Sequence, residues 1–299
     1  MALARFYLIS CVIFWGWSFV ATKICLNYMT PVELIGLRFL TGIPVLYAIV
    51  KAKRIRFNFT PRAKRSIALG SLILTVHFLI QITGLKYTSA TNTGWIISVS
   101  PLVMAVLAFL FLKEKIGRNT IIGIAVATIG ILLLVSRGKP GNLDWLSSVG
   151  DWLVLGSAHT WALYTVAVRD VTRSQNPLAV TFWVMMPSGV VVLAYMLFTS
   201  DWSAFLHLPA DGLLAILYLG IPALALAHWF WQEGLAEVGA AKAGIYLYLE
   251  PLATTALAVP MLGEEFGVFA ALGGLMVLAG VYLAERRRRV RVKLQNLRQ

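Results

Sequence analysis

Ten apolar stretches, each about twenty residues long, leave this 299-residue chain little choice of fold. They run at 6–26, 32–50, 66–85, 89–112, 119–136, 149–168, 178–199, 211–232, 240–262 and 267–284. Crossing about 30 Å of hydrocarbon at about 1.5 Å per residue takes about 20 mostly apolar residues. Strands of a membrane β-barrel are shorter and alternate strictly, which these runs do not. The expected class is an all-α integral membrane protein with ten transmembrane helices. Charged residues make up 13% of the chain, about half the share of a soluble domain. Ten spans consume about two thirds of the residues, so little is left for a soluble domain. The first stretch carries Trp15 and Trp17 and lacks a small-residue cleavage site. It reads as a span, not as a removable leader.

The formal net charge of +13 poses a question of location. With the N-terminus set in the cytoplasm, inner segments hold 21 of the 26 Lys and Arg, and outer segments hold three. Lys23 and Arg38 lie within spans. Such a bias places both termini in the cytoplasm. The tail at 286–299, opening on Arg286-Arg287-Arg288-Arg289, reads as an orienting signal that also touches anionic lipid. No nucleic-acid partner is expected. Two cysteines, Cys11 and Cys25, both in the first span, exclude a disulfide framework. No cofactor and no metal site are expected.

The chain is also written twice. At an offset of 150, Gly84/Gly234, Pro101/Pro251, Glu114/Glu264, Gly123/Gly273 and Gly130/Gly280 match. At 146, Trp15 faces Trp161, Pro31 faces Pro177, and Lys23 lies opposite Arg169. A short stretch aligns at 151, with His77 and Gln81 facing His228 and Gln232. The expected organisation is a first five-helix repeat at 1–137, an outer linker at 138–147, a second repeat at 148–285 and the tail. Five spans per half is an odd number, so the second half starts on the opposite side of the membrane. Inverted repeats of this kind typify secondary transporters, whose site lies between the repeats near the midplane.

The residues Gly84-Leu-Lys-Tyr-Thr-Ser-Ala90, Pro101-Leu102, Leu112-Lys-Glu114, Gly123 and Gly130, with their second-half counterparts, resemble the EamA family of the drug/metabolite transporter superfamily. The run Trp15 to Lys23 is similar to that family's first helix. The resemblance implies ten helices in inverted five-helix repeats and metabolite export. Within the family, the chain is most similar to bacterial YddG-type exporters of aromatic amino acids. The superfamily also holds nucleotide-sugar carriers, quaternary-ammonium exporters and lipid-carrier flippases, and fold alone does not choose among substrates.

Polar groups in spans are costly unless they face the bundle interior or a water-filled cavity. His77 and Gln81 share a face of the third helix, and His228 and Gln232 repeat it in the eighth. They are expected to line the pathway, or else to hold helices together. Lys242, Tyr246 and Glu250 follow a four-residue spacing in the ninth helix, opposite Asn92, Ile96 and Ser100 in the fourth. Glu250 is a candidate for a substrate ammonium or a coupling proton, or is a structural carboxyl. Among the tryptophans, Trp17, Trp95 and Trp161 are the expected wall of a cavity, since aromatic faces suit flat solutes and cations. Arg38 and Lys242 are possible charge partners, and Lys23 is expected to snorkel. Glu114 and Glu264 are expected to meet the N-terminal end of the helix that follows each. Pro101 and Pro251, matched between repeats, are the expected hinges.

The expected function is secondary transport by alternating access, exporting small organic metabolites such as aromatic or neutral amino acids across a bacterial inner membrane. Exporters of hydrophobic or quaternary-ammonium cations and lipid-carrier flippases are the alternatives. The expected partners are a small-molecule substrate and the lipid bilayer. One chain with both repeats is sufficient, and the oligomeric state is open. An enzyme is not expected, because no nucleophile elbow, phosphate loop or His/Asp/Glu cluster is present.

Overall fold

The computed structural model describes residues 2–136, 146–263 and 267–296. Most of the linker expected at 138–147 lies outside these, as does Glu264. Regular structure among the described residues is entirely helical. The segments are α1 (Ala2–Cys25), α2 (Pro31–Ala52), α3 (Pro61–Lys86), α4 (Ala90–Ile97), α5 (Ser100–Leu112), α6 (Arg118–Val135) and α7 (Val149–Ser174). They continue as α8 (Pro177–Thr199), α9 (Ala210–Gly220), α10 (Ala227–Val238), α11 (Ala240–Tyr246), α12 (Glu250–Leu262) and α13 (Val268–Asn296).

The helix starts follow from sequence. Thr30, Thr60, Ser89, Ser148 and Asn176 each accept a backbone N–H in the first turn of the helix they cap. Pro31, Pro61 and Pro177 occupy first-turn positions, where the missing N–H needs no partner. Seven helical runs are long and apolar enough to span a bilayer, and Arg118–Leu133 and Ala271–Ala284 are shorter apolar helices. With most of their length apolar and no strand among the described residues, these runs make an all-α integral membrane protein. The 26-residue α7 is more polar, with Asp151, His159, Arg169, Asp170 and Arg173. It packs against α3, α4 and α5 inside the bundle, so its apolar requirement is lower than that of a lipid-facing helix.

Three stretches expected as unbroken helices are interrupted. The run at 89–112 breaks between α4 and α5 at Ser98 and Val99. The run at 240–262 breaks at a 3-10 turn, Leu247–Leu249. The run at 211–232 contains a π-helical turn, Ile221–Leu226, beginning beside Pro222. Pro101 and Pro251 therefore sit in the first turn of new segments, α5 and α12, and do not kink a continuous helix.

Close packing is set by small residues, as expected where lipid supplies no hydrophobic drive between helices. Contacts recur with the repeats exchanged. Gly94 of α4 lies against Thr254 and Pro251 of α12, and Gly244 of α11 lies against Met104 and Pro101 of α5. Helices α6 and α13 touch through backbone. A methyl at Gly123 would stand 2.5 Å from the Gly280 carbonyl oxygen, and one at Gly280 would stand 2.5 Å from that of Gly123. Gly280→Val is thus expected to force the two helices apart at a cost of about 1–3 kcal/mol. The check is the thermal midpoint in detergent, and an unchanged midpoint would show that the helices part freely.

Candidate functional site

A cavity lies at the centre of the bundle, where both repeats contribute. From α1 come Trp15, Ser18 and Phe19; from α2, Arg38; from α3, His77, Phe78 and Gln81. Ile97 closes it from α4, Trp161 from α7, His228 from α10, Leu247 from the 3-10 turn and Glu250 from α12. Its free volume is about 30 Å³, room for about one water. The lining side chains crowd the space, and any larger solute requires them to move apart.

Aromatic rings, counting both imidazoles, form half of the wall. Trp15 meets Trp161 edge to face at 4.8 Å between centroids and His228 at 5.1 Å. His77 lies 5.3 Å from Trp161, and Phe78 lies 5.8 Å from His228. Both imidazoles are held by backbone carbonyls. His77 Nδ1 lies 3.0 Å from the Ser157 oxygen, and His228 Nδ1 lies 3.0 Å from that of Leu224. A carbonyl only accepts, so each Nδ1 carries the proton, and Nε2 of a neutral ring is left as an acceptor.

Two charged side chains reach this cavity. Arg38 is 4% exposed and Glu250 is 5% exposed. The Arg38 guanidinium stands over the Phe78 ring at 4.8 Å, within cation–π range, and its Nε has no acceptor. Among the described residues the Glu250 carboxyl makes no hydrogen bond or ion pair. Gln81, half-buried beside them, is likewise without a hydrogen-bond partner among the described residues. A buried polar group is costly without a partner, so the centre of the molecule holds a guanidinium and a carboxyl group with hydrogen-bonding capacity to spare.

Several residues expected at the site lie elsewhere. Trp17 is 38% exposed on the outer surface of α1, and Trp15 occupies the cavity in its place. Two positions along a helix are about 200° apart, so both cannot face inward. Trp95 packs with Ile245, Tyr248 and Val277 in a separate apolar cluster. Gln232 is fully buried, donates to Tyr164 at 2.7 Å and accepts from Thr172 at 2.9 Å. It ties α10 to α7 and does not line the cavity. Asn92 sits at the start of α4, where its amide donates to Asp151 at 2.6 Å and to Thr88 at 3.1 Å. Tyr246 is buried in the main core. Lys242 is exposed beside Arg169 and Arg173 in an open recess at one end of the bundle. The 3-10 turn explains the separation of Lys242 and Tyr246 from Glu250, because four-residue spacing shares a face only on a continuous α-helix. The matched pair Trp15/Trp161 was the signal in the sequence that pointed to Trp15.

Each end of the bundle is tied by a carboxylate. At the end bearing Lys242, Glu114 was expected to meet the helix after it, α6. It turns instead to α11, accepting from the Ala240 and Ala241 N–H groups at 3.2 Å each, and pairs with Arg169 Nε at 3.0 Å. The left-handed Lys113 (φ 52°) ends α5 just before it. At the opposite end, Asp151 accepts from Thr88 at 2.5 Å as well as from Asn92, and caps its own helix through the Ser148 N–H at 2.7 Å. Nearby, Tyr28 donates to Asp211 at 2.7 Å, a bond that raises the pKa of the phenol. Lys23 lines an open recess at that same end with Lys86 and Tyr87. No group of three or more His, Cys, Asp or Glu arranged to hold a metal ion occurs among the described residues.

A helical membrane bundle with a narrow, polar and aromatic cavity between two sequence repeats has the build of a solute transporter. The EamA-like transporter family model matches residues 2–136 and again 148–285, and the chain belongs to that family. An uncharacterized transporter, YyaM, from Bacillus subtilis is 29% identical over 279 residues, covering 91% of this chain and 90% of that protein. A probable amino-acid metabolite efflux pump from Salmonella typhimurium is 25% identical over 284 residues, covering 91% of each. One solved structure shares the fold, with a TM-score of 0.75 at 19% identity, over 95% of this chain and 98% of that one.

Proposed function

We propose that this transporter exports small zwitterionic metabolites, with aromatic and neutral amino acids as its substrates. The observation that carries the reading is the meeting of Arg38 and Glu250 at one aromatic-walled cavity. Arg38 suits a carboxylate, Glu250 and the imidazole Nε2 atoms suit an ammonium, and the rings of Trp15, Phe78 and Trp161 suit an apolar or aromatic side chain. The Salmonella relative's name, an amino-acid metabolite efflux pump, supports the same class.

The architecture in this reading is ten spans in two inverted repeats, 1–137 and 148–285, with both termini in the cytoplasm of a bacterium and the chain in its inner membrane. The charge bias across the loops supports the orientation. The exchanged contacts Gly94 with Pro251 and Gly244 with Pro101 support the inversion. Alternating access follows from a cavity too small for its solute: the repeats rock about the breaks that precede Pro101 and Pro251. His77, Gln81, Trp161, His228 and Glu250 line the path.

Reconstituted liposomes decide the substrate. Labelled phenylalanine, tryptophan and tyrosine are expected to enter above empty liposomes, whereas nucleotide-sugars are not, since Arg38 alone supplies positive charge in the cavity. Entry of quaternary-ammonium cations with exclusion of amino acids would overturn the proposal. Glu250 beside indole rings favours that second reading, and Arg38 in the same cavity opposes it. The same assay with an imposed pH gradient separates proton antiport from facilitated diffusion.

A further inference from the structure

The two repeats each place one matched tryptophan in the cavity, yet the two indole N–H groups are used differently. Trp15 Nε1 donates to the Ala223 carbonyl at 3.0 Å. That carbonyl belongs to the π-helical turn Ile221–Leu226, where the ordinary ladder is disrupted. His228 Nδ1 shares it at 3.2 Å. The corresponding stretch of the first repeat, around Ile73, lies in the middle of α3, an uninterrupted α-helix with no π turn. Trp161 Nε1, the mate of Trp15 Nε1, finds no acceptor among the described residues although the ring is 5% exposed. Arg38 Nε, on the same small cavity, is also without one.

Buried donors left unsatisfied are rare and costly. The indoles of Trp183, Trp202 and Trp231 are unsatisfied too, but Trp161 and Arg38 both line the one central cavity, which marks a place where an acceptor arrives from outside the chain. We infer that the Trp161 indole N–H donates directly to a carboxylate oxygen of the transported solute, beside Arg38, whereas Trp15 is a positioning residue that braces the π turn. The inference rests on the zwitterion reading above and assigns the carboxylate end of the solute to α7 and α2. Selection against amines that lack a carboxylate follows, because such an amine brings no acceptor oxygen to these two donors.

The test compares L-phenylalanine with phenethylamine, which has the same ring and amine but no carboxylate. Binding is measured by calorimetry on the full chain in lipid nanodiscs. Trp161→Phe keeps an aromatic ring and removes the donor. It is expected to weaken phenylalanine about tenfold or more, the usual loss for a hydrogen bond to a charged group, and to weaken phenethylamine, which meets only the ring, far less. Trp15→Phe is expected to affect both ligands alike. With 15N-labelled indoles, phenylalanine is expected to move one Nε1–H resonance downfield, and that resonance is absent in Trp161→Phe. Equal losses for the two ligands, or no loss for either, overturn the donor assignment alone. A wild-type protein that binds no phenylalanine overturns both this assignment and the amino-acid reading.

Discussion

Glu250→Gln is expected to cut phenylalanine uptake into liposomes at least about 30-fold, because removing one member of a buried, hydrogen-bonded charge pair costs about 2–5 kcal/mol. The substitution keeps the volume, removes the charge and puts an NH2 donor where one acceptor oxygen stood. Glu250 is 5% exposed and faces the cavity from the first turn of α12. Its backbone carbonyl lies under Gly16 of α1, where a methyl would stand 2.8 Å away, so the side chain is held at the crossing of two helices. With no partner of its own among the described residues, the carboxyl is available to an arriving ammonium. The loss should extend to phenethylamine and spare phenylacetate, which has no amine. Unchanged phenylalanine uptake in the variant would remove Glu250 from substrate binding. A loss confined to the experiment with a pH gradient would reassign it from ammonium binding to proton coupling.

The helices were legible because apolar length and capping residues are local properties. Thr30, Ser89, Ser148 and Asn176 stop the chain from continuing and start it again, and the ends of the apolar runs agree with observed helix ends to within a few residues at most positions. The interruptions were not legible. A run such as 211–232 is apolar throughout, and hydropathy carries no mark that separates an α-turn from a π-turn. Only Pro222 hinted at it. Trp15 donates into that hidden turn and Trp161 has no acceptor among the described residues, so the repeat in the sequence suggested a symmetry that the hydrogen bonds do not keep. Choosing between Trp15 and Trp17 required the rotation of α1, and the matched pair with Trp161 was the better guide than the aromatic type. Spacing misled at Lys242, Tyr246 and Glu250, where a four-residue step crosses the 3-10 turn. Gln232 repeats Gln81 in sequence, yet Tyr164 and Thr172 capture its amide before it reaches the cavity. Such captures depend on which helix lies across, and that is a tertiary fact.

Glu114→Ala is expected to lower stability by about 2–3 kcal/mol, somewhat below the 3–5 kcal/mol typical of a broken buried ion pair. The discount reflects geometry: the Glu114 and Arg169 side chains are 17% and 14% exposed. One carboxylate here satisfies Arg169 and the first two N–H groups of α11, so its loss strands three donors. Glu114 belongs to the first family match and all its partners to the second. The bond set therefore joins the two repeats at one end of the central path. Gly239 makes room for it, with φ at +83° and a methyl position only 2.9 Å from Glu114 Oε1. If these bonds form only when that end is shut, removing about 2 kcal/mol raises the open population about 30-fold. The measure is labelling of Ser18→Cys in the cavity by a membrane-impermeant maleimide added from the Glu114 side. Cys11 and Cys25 are buried, so background labelling is small. Faster labelling in Glu114→Ala, with Gly239→Ala following in the same direction, makes this carboxylate the bar across that entrance. A lowered thermal midpoint with unchanged labelling would instead mean that the bonds persist in both states and serve cohesion alone.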